Sequence, residues 1–226
     1  MKFGILLSGC GVYDGAEIHE AAMAMLAIKE LGHEYQCISI NKDQHHVVNH
    51  LNGEEMDEKR NMMIEAARIA RGDVKEISEI SPADMDALVI PGGFGSAKNF
   101  SKWAFLGPEG EIMDEVKLLI VNMINVGKPI CALCVSPVVV AKALEGSDIS
   151  AKMTLGSDQE ASPYDISGFN AGIESVGAVA EMKTVREIQV DKANKIVTAP
   201  CYMMDADILE IRNNAKQAIE ATIELA

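Results

Sequence analysis

The chain is short of cations. Its 20 Lys and Arg stand against 34 Asp and Glu, which leaves a formal charge of −14 at pH 7. The cations are scattered, and no basic patch offsets the acidic total. An electrostatic grip on nucleic acid or on anionic lipid is therefore not expected, because phosphates are repelled by such a surface. Long hydrophobic runs are missing too. The apolar opening from Met1 to Ser8 is far too short for a membrane span or a signal peptide and reads as a buried strand. Cysteine is sparse and irregular, with five residues at 10, 37, 131, 134 and 201. An odd set without dense spacing points to reduced thiols in a cytoplasmic protein. No second Cys-x-x-Cys and no Cys-x-x-His completes four zinc ligands with Cys131 and Cys134, so no metal is expected. Linkers, repeats and low-complexity tracts are also absent, and residues 1–226 read as one domain.

Short apolar runs alternate with amphipathic stretches. Strands are expected at Lys2 to Ser8, Tyr35 to Ile40, Ala87 to Ile90, Pro129 to Cys134, Glu187 to Val190 and Lys195 to Ala199, with a weaker one at Val74 to Ile77. Helices are expected at Glu17 to Leu31, Arg60 to Arg71, Gly110 to Val126, Pro137 to Leu144 and Asp205 to Leu225, where apolar residues recur every three or four positions. Strands joined by crossover helices imply an α/β sandwich, with a mainly parallel sheet covered by helices on both faces. The last two strands, separated only by residues 191–194, suggest an antiparallel hairpin. Residues 41–58, with three histidines, read as a solvated insertion, and residues 157–177, rich in Gly, Ser and Asp, as irregular structure.

Open sheets of this kind bind ligands beyond the carboxyl ends of their strands. That rule selects Gly9 to Gly15, Pro91 to Asn99, Cys134 to Pro137 and Ala199 to Met203. Gly9-Cys10-Gly11 begins like a dinucleotide fingerprint, but its sixth position is Asp14, whose carboxylate would face the pyrophosphate. A tight turn is the better reading, and no nucleotide cofactor is expected. Cys131 lies inside an apolar strand and reads as a core thiol. Cys134 stands where that strand ends and Ser136-Pro137 opens a helix, the setting of a nucleophile elbow. A helix N-terminus there would stabilise a thiolate. An inert cysteine at a strand end is the alternative. Gly92 and Gly93 free backbone amides for an anion nest, or simply form a loop. Glu17 and Glu20 share a helix face that can reach over the sheet end, although acids also favour any helix start.

Three segments, Gly15-Ala16-Glu17-Ile18-His19-Glu20, Pro91-Gly92-Gly93 with Ala97-Lys98-Asn99, and Cys134-Val135-Ser136-Pro137, together resemble the PfpI superfamily. That superfamily includes the parkinsonism-associated deglycase and is more distantly related to class I glutamine amidotransferases. The stretches "LSGCGVYDGAEIHEA", "VIPGGFGSAKNFS" and "NKIVTAPCYM" are similar to its ElbB-like branch, variously labelled isoprenoid-biosynthesis-associated, amidotransferase-like and glyoxalase. The resemblance covers nearly the whole chain. It implies a flavodoxin-like, class I glutamine amidotransferase-like fold with Cys134 as nucleophile and Glu20 as its carboxyl partner. Glu17, Gly92 and His19 would line the pocket, and the amides of Gly93 and Val135 would hold an oxyanion. Histidine departs from the pattern. All five, at 19, 33, 45, 46 and 50, precede Cys134, whereas an amidotransferase triad supplies His and Glu downstream of its cysteine. Glutamine hydrolysis by that triad is not expected. The resemblance instead implies cofactor-independent conversion of glyoxal or related reactive aldehydes to a 2-hydroxy acid, or deglycation by the same steps, in a homodimer. The competing expectation is a redox-sensing or chaperone-like stress protein.

Overall fold

The computed structural model describes residues 1–226. In chain order the elements are β1 (Lys2–Leu6), α1 (Ile18–Glu30), β2 (Glu34–Ser39), β3 (Val47–Val48), β4 (Glu55–Met56), α2 (Met62–Ala70), β5 (Val74–Glu76), β6 (Ala87–Ile90) and α3 (Trp103–Leu106). They continue with α4 (Asp114–Asn125), β7 (Ile130–Leu133), α5 (Pro137–Leu144), β8 (Lys152–Met153), α6 (Ile166–Ser175), β9 (Val179–Ala180), β10 (Gln189–Asp191), β11 (Ile196–Ala199) and α7 (Ile208–Glu224). Seven strands form one sheet in the order β10-β11-β7-β6-β1-β2-β5, and only the β10–β11 pair is antiparallel. This is the mainly parallel α/β sandwich, with its appended hairpin, that the sequence pattern predicts.

The central strands β6, β7 and β11 are buried at every position. Helices on both faces require that, and it explains why these segments read as unbroken apolar runs rather than as alternation. Helix α1 packs on α7, and α4 packs on α5. The register sets Ile90 beside Ala132 and Leu133 beside Ala199, so the loops that follow β6, β7 and β11 leave the sheet at one end.

Two readings are refined. Residues 41–58 are mostly exposed to solvent, but they also carry the β3–β4 hairpin, whose Val47 and Val48 are buried. The Val48 amide donates to Asp14 Oδ2 at 2.8 Å, and the His45 amide donates to Asn99 Oδ1 at 2.8 Å. Two-residue strands are too short to show a period. Residues 157–177 contain helix α6, capped by Asp165, whose side chain accepts from the Gly168 amide. Ser167, Gly168 and Asn170 are weak helix formers, and they hide the helix from propensity. Its apolar positions Ile166 and Ile173 are buried, so packing decides its form.

Candidate active site

Cys134 follows β7 directly, and its φ of +58° lies in the left-handed region. A non-glycine residue held there costs of order 1 kcal/mol or more, and such strain persists only where the surroundings impose it. They do so here. The Cys134 amide donates to Ala199 O at 2.9 Å, and two residues later the buried Ser136 hydroxyl donates to Pro91 O at 2.6 Å. Ser136 Oγ also lies 2.8 Å from Ser96 Oγ. The turn after Cys134 is thereby tied to the loop after β6, and Pro137 opens α5. Motif reading passes over Ser136 as a positioning residue; its only signal in the sequence is a hydroxyl immediately before Pro137.

Glu20 comes from the first turn of α1 and has no exposed surface. Glu17, the N-cap of that helix, accepts the Glu20 amide at 2.7 Å, while the Glu17 amide donates to Gly92 O at 2.9 Å. Helix α1 is thus anchored to the Gly92-Gly93 turn. The Gly92 amide in turn donates to Glu20 Oε2 at 2.8 Å, and the Tyr202 amide reaches Oε1 at 3.3 Å. The Glu20 carboxyl and the Cys134 thiol meet over Gly92, where a Cβ would lie 2.5 Å from Glu20 Oε2 and 2.9 Å from Cys134 Sγ. The backbone N–H groups of Gly93 and Val135 lie on the side of the Cys134 sulfur and favour its thiolate.

Electrostatics reverse one expectation. Burial first, and then repulsion from Glu20, push the Cys134 thiol well above its ordinary value, despite the start of α5 and the two amides that favour the thiolate. Burial and then the charge of Glu17 raise Glu20 to about 8. The pair therefore holds its protons at neutral pH, and the first to leave belongs to both groups.

The site opens beside a pocket of about 380 Å³ lined by Tyr13, Glu17, His19, Tyr164 and Tyr202 among others. Cys134 is 5% exposed and lies behind that wall. His19 does not turn inward: its side chain is 48% exposed and its Nδ1 lies 2.8 Å from the Tyr202 hydroxyl. Cys131 is fully buried in β7, and burial pushes its thiol up to about 12. Glu20, Gly92, Gly93, Cys134 and Val135 are thus brought together, Glu17 bridges them to the pocket, and His19 stands at its rim. Tyr202 and Tyr164 complete the wall. Of these two only Tyr202 falls in a strand-end segment selected by topology; Tyr164 lies in a stretch with no motif. No group of three or more His, Cys, Asp or Glu side chains is placed to hold a metal ion.

The sequence profile of the DJ-1/PfpI family matches residues 10–158, more than half of the chain. The chain belongs to the DJ-1/PfpI family. The DJ-1/PfpI relatives include the human mitochondrial protein named glutamine amidotransferase-like class 1 domain-containing protein 3. It is 36% identical over 226 residues, with 99% of this chain and 83% of that protein covered. A crystal structure of an isoprenoid biosynthesis protein with an amidotransferase-like domain, from Ehrlichia chaffeensis, has a TM-score of 0.90 at 33% identity, covering 100% of this chain and 99% of that one. Drosophila melanogaster DJ-1beta has a TM-score of 0.54 at 16% identity, covering 100% and 95% of the two chains, and shares the fold. No helix of the chain is long and apolar enough to cross a membrane.

Proposed function

We propose that this DJ-1/PfpI protein is a cofactor-independent glyoxalase-like enzyme that turns glyoxal, or a related small reactive aldehyde, into a 2-hydroxy acid. One observation carries the reading: a fully buried carboxyl, Glu20, meets the Cys134 thiol over Gly92, and burial raises it to about 8. A titratable pair tuned in this way beside a pocket is suited to moving protons rather than to packing.

The chemistry balances without a co-reactant other than water. The singly deprotonated pair is the reactive form. As Cys134 Sγ bonds to one aldehyde carbon, its proton passes to Glu20 and then to the new alkoxide, giving a hemithioacetal. The Gly93 and Val135 amides, which favour negative charge on the sulfur, hold the oxygen as its charge develops. Glu20 then takes the hydrogen on the attacked carbon as a proton and returns it to the neighbouring carbon. The hydroxyl proton on the attacked carbon passes to the second oxygen, so that the second carbonyl becomes an alcohol and the attacked carbon a thioester. Water cleaves the thioester to release glycolate and restore the thiol. Early aldehyde adducts of amines would follow the same steps.

At pH 7 only about a tenth of a pair with a midpoint near 8 is deprotonated, so turnover is slow. The raised thiol also disfavours a peroxide-sensing role, which needs a thiolate. A cytoplasmic homodimer belongs to the same reading; five unpaired cysteines support a reducing compartment, and the human relative's name sets the mitochondrion as the alternative. A link to isoprenoid biosynthesis rests on the name of the Ehrlichia protein alone, and no residue of the site selects for it.

The test is hydroxy-acid production from glyoxal by purified protein without glutathione or metal. Wild type and Cys131→Ala should turn over, while Cys134→Ala and Glu20→Gln should lose at least about 100-fold. An inactive wild type, or a Cys134→Ala variant as active as wild type, would remove the enzyme reading.

A further inference from the structure

Tyr13 lines two cavities. Besides the pocket beside the thiol, it contributes to a larger one of about 690 Å³, which lies between the β3–β4 hairpin, the turn at Ser96–Phe100, α3 and α6. Its walls are mostly apolar, with Val48, Phe94, Trp103 and Phe169, and one cation projects into it, Lys98. Lys98 belongs to the Ala97-Lys98-Asn99 segment, for which the chemistry at Cys134 has no use.

Burial pushes the Lys98 ammonium below its ordinary value, the charges of Asp14 and Glu55 offset this only in part, and no carboxylate pairs with it directly. Its Nζ donates to Tyr13 O at 2.7 Å and to His46 Nε2 at 3.0 Å, and it lies 5.4 Å from the centre of the Phe94 ring. An ammonium has three N–H donors, and the third finds no acceptor in the protein. The neighbouring carboxylates face other partners: Glu55 lies 3.7 Å from His46 Nδ1, and Asp14 lies 3.8 Å from His50 Nε2. A half-buried charge in an apolar cavity is stabilised when an anion pairs with it. Mostly apolar walls with a few convergent polar groups are the usual form of a small-molecule site, and the volume suits a ligand larger than glyoxal. No arginine lines the cavity, and Glu55 at its rim opposes a dianion such as phosphate.

We propose that this cavity binds an apolar monocarboxylate, its carboxylate on Lys98 and its hydrocarbon or aromatic body against Phe94, Trp103 and Phe169. The site is separate from Cys134 and does not depend on the chemistry there.

The chain has a single tryptophan, and it lies in the cavity wall, so its emission reports where a ligand binds. The experiment titrates wild type with 4-phenylbutyrate and with its neutral amide by calorimetry, with Trp103 fluorescence in parallel. The carboxylate should bind with Kd at or below about 1 mM and shift the emission, while the amide binds at least about tenfold more weakly. Lys98→Gln should lose that preference, Lys98→Arg should keep it, and Cys134→Ala should bind as wild type does. No saturable binding of the carboxylate, equal binding of the amide, or an undiminished affinity in Lys98→Gln overturns the proposal. Should Lys98→Gln fail to fold, the carboxylate and amide comparison on wild type decides by itself.

Discussion

Gly92 lies so close to Cys134 that a Cβ at position 92 would fall 2.3 Å from the cysteine's own Cβ and 2.5 Å from Glu20 Oε2. Close approach is what glycine supplies here, since neighbouring Gly93, at φ +91°, carries the unusual backbone angle. Gly92→Ala should therefore push the thiol and the carboxyl apart without straining the turn. We expect a stability loss of about 1–3 kcal/mol in urea unfolding, the usual cost of overpacking. Aldehyde turnover should fall by at least about tenfold, beyond what the lost stability explains. A Gly92→Ala variant with wild-type turnover would show that the spacing of the pair is immaterial.

The same pair makes stability depend on pH with a defined sign. Glu20 titrates near 8 in the folded chain against an ordinary 4.5, burial being the main cause. Between those values the folded state keeps a proton that the unfolded state has lost. Stability from this group is complete below pH 4.5, falls as pH rises through the window, and levels off above 8. Glu20→Gln lacks the titration. Its melting temperature relative to wild type should rise between pH 5 and pH 8 by an amount equivalent to about 2 kcal/mol or more. The slope is the readout, because a constant offset also contains the amide's altered hydrogen bonds. Parallel curves across that range would place the Glu20 pKa in the ordinary carboxyl range.

Catalysis should run the opposite way with pH. The reactive form is the pair with one proton gone, so kcat/KM for glyoxal should climb about tenfold per pH unit below 8 and reach a plateau above it. The apparent midpoint belongs to the pair and not to either residue. A rate that is flat from pH 6 to pH 9 is incompatible with proton transfer through Glu20.

Much of this geometry was legible before any coordinates. Cys134 stood out because a buried strand ended and Pro137 opened a helix, and that local grammar requires a sharp turn with the side chain raised above the sheet. Glu20 could be placed in the first turn of α1, facing the sheet end. Its protonation could not be read, because it depends on complete burial and on the charge of Glu17, both set by how α1 docks on Gly92. For the same reason the Cys134 thiol was expected to shift in the wrong direction: a helix start is visible in sequence, and desolvation is not. The β3–β4 hairpin and α6 escaped pattern reading, and with them part of the wall around Lys98. Tertiary packing of Val48 and Phe169, rather than any local periodicity, builds that cavity.

Histidine offers the sharpest remaining discrimination. A triad mechanism needs an imidazole on the thiol, and removing a triad base costs several orders of magnitude. In this chain His19 lies in sequence next to the catalytic helix turn, yet its side chain faces solvent and its Nδ1 engages the Tyr202 hydroxyl at the pocket rim. His19→Ala should therefore lower kcat by less than about fivefold, with any larger effect falling on KM as the rim loosens. Tyr202→Phe should behave in the same way, because the bond to Glu20 comes from the Tyr202 backbone and survives the substitution. A collapse of kcat in His19→Ala, with wild-type kcat retained in Tyr202→Phe, would mean that the imidazole swings inward during turnover. Glu20 would then be its orienting partner rather than the base.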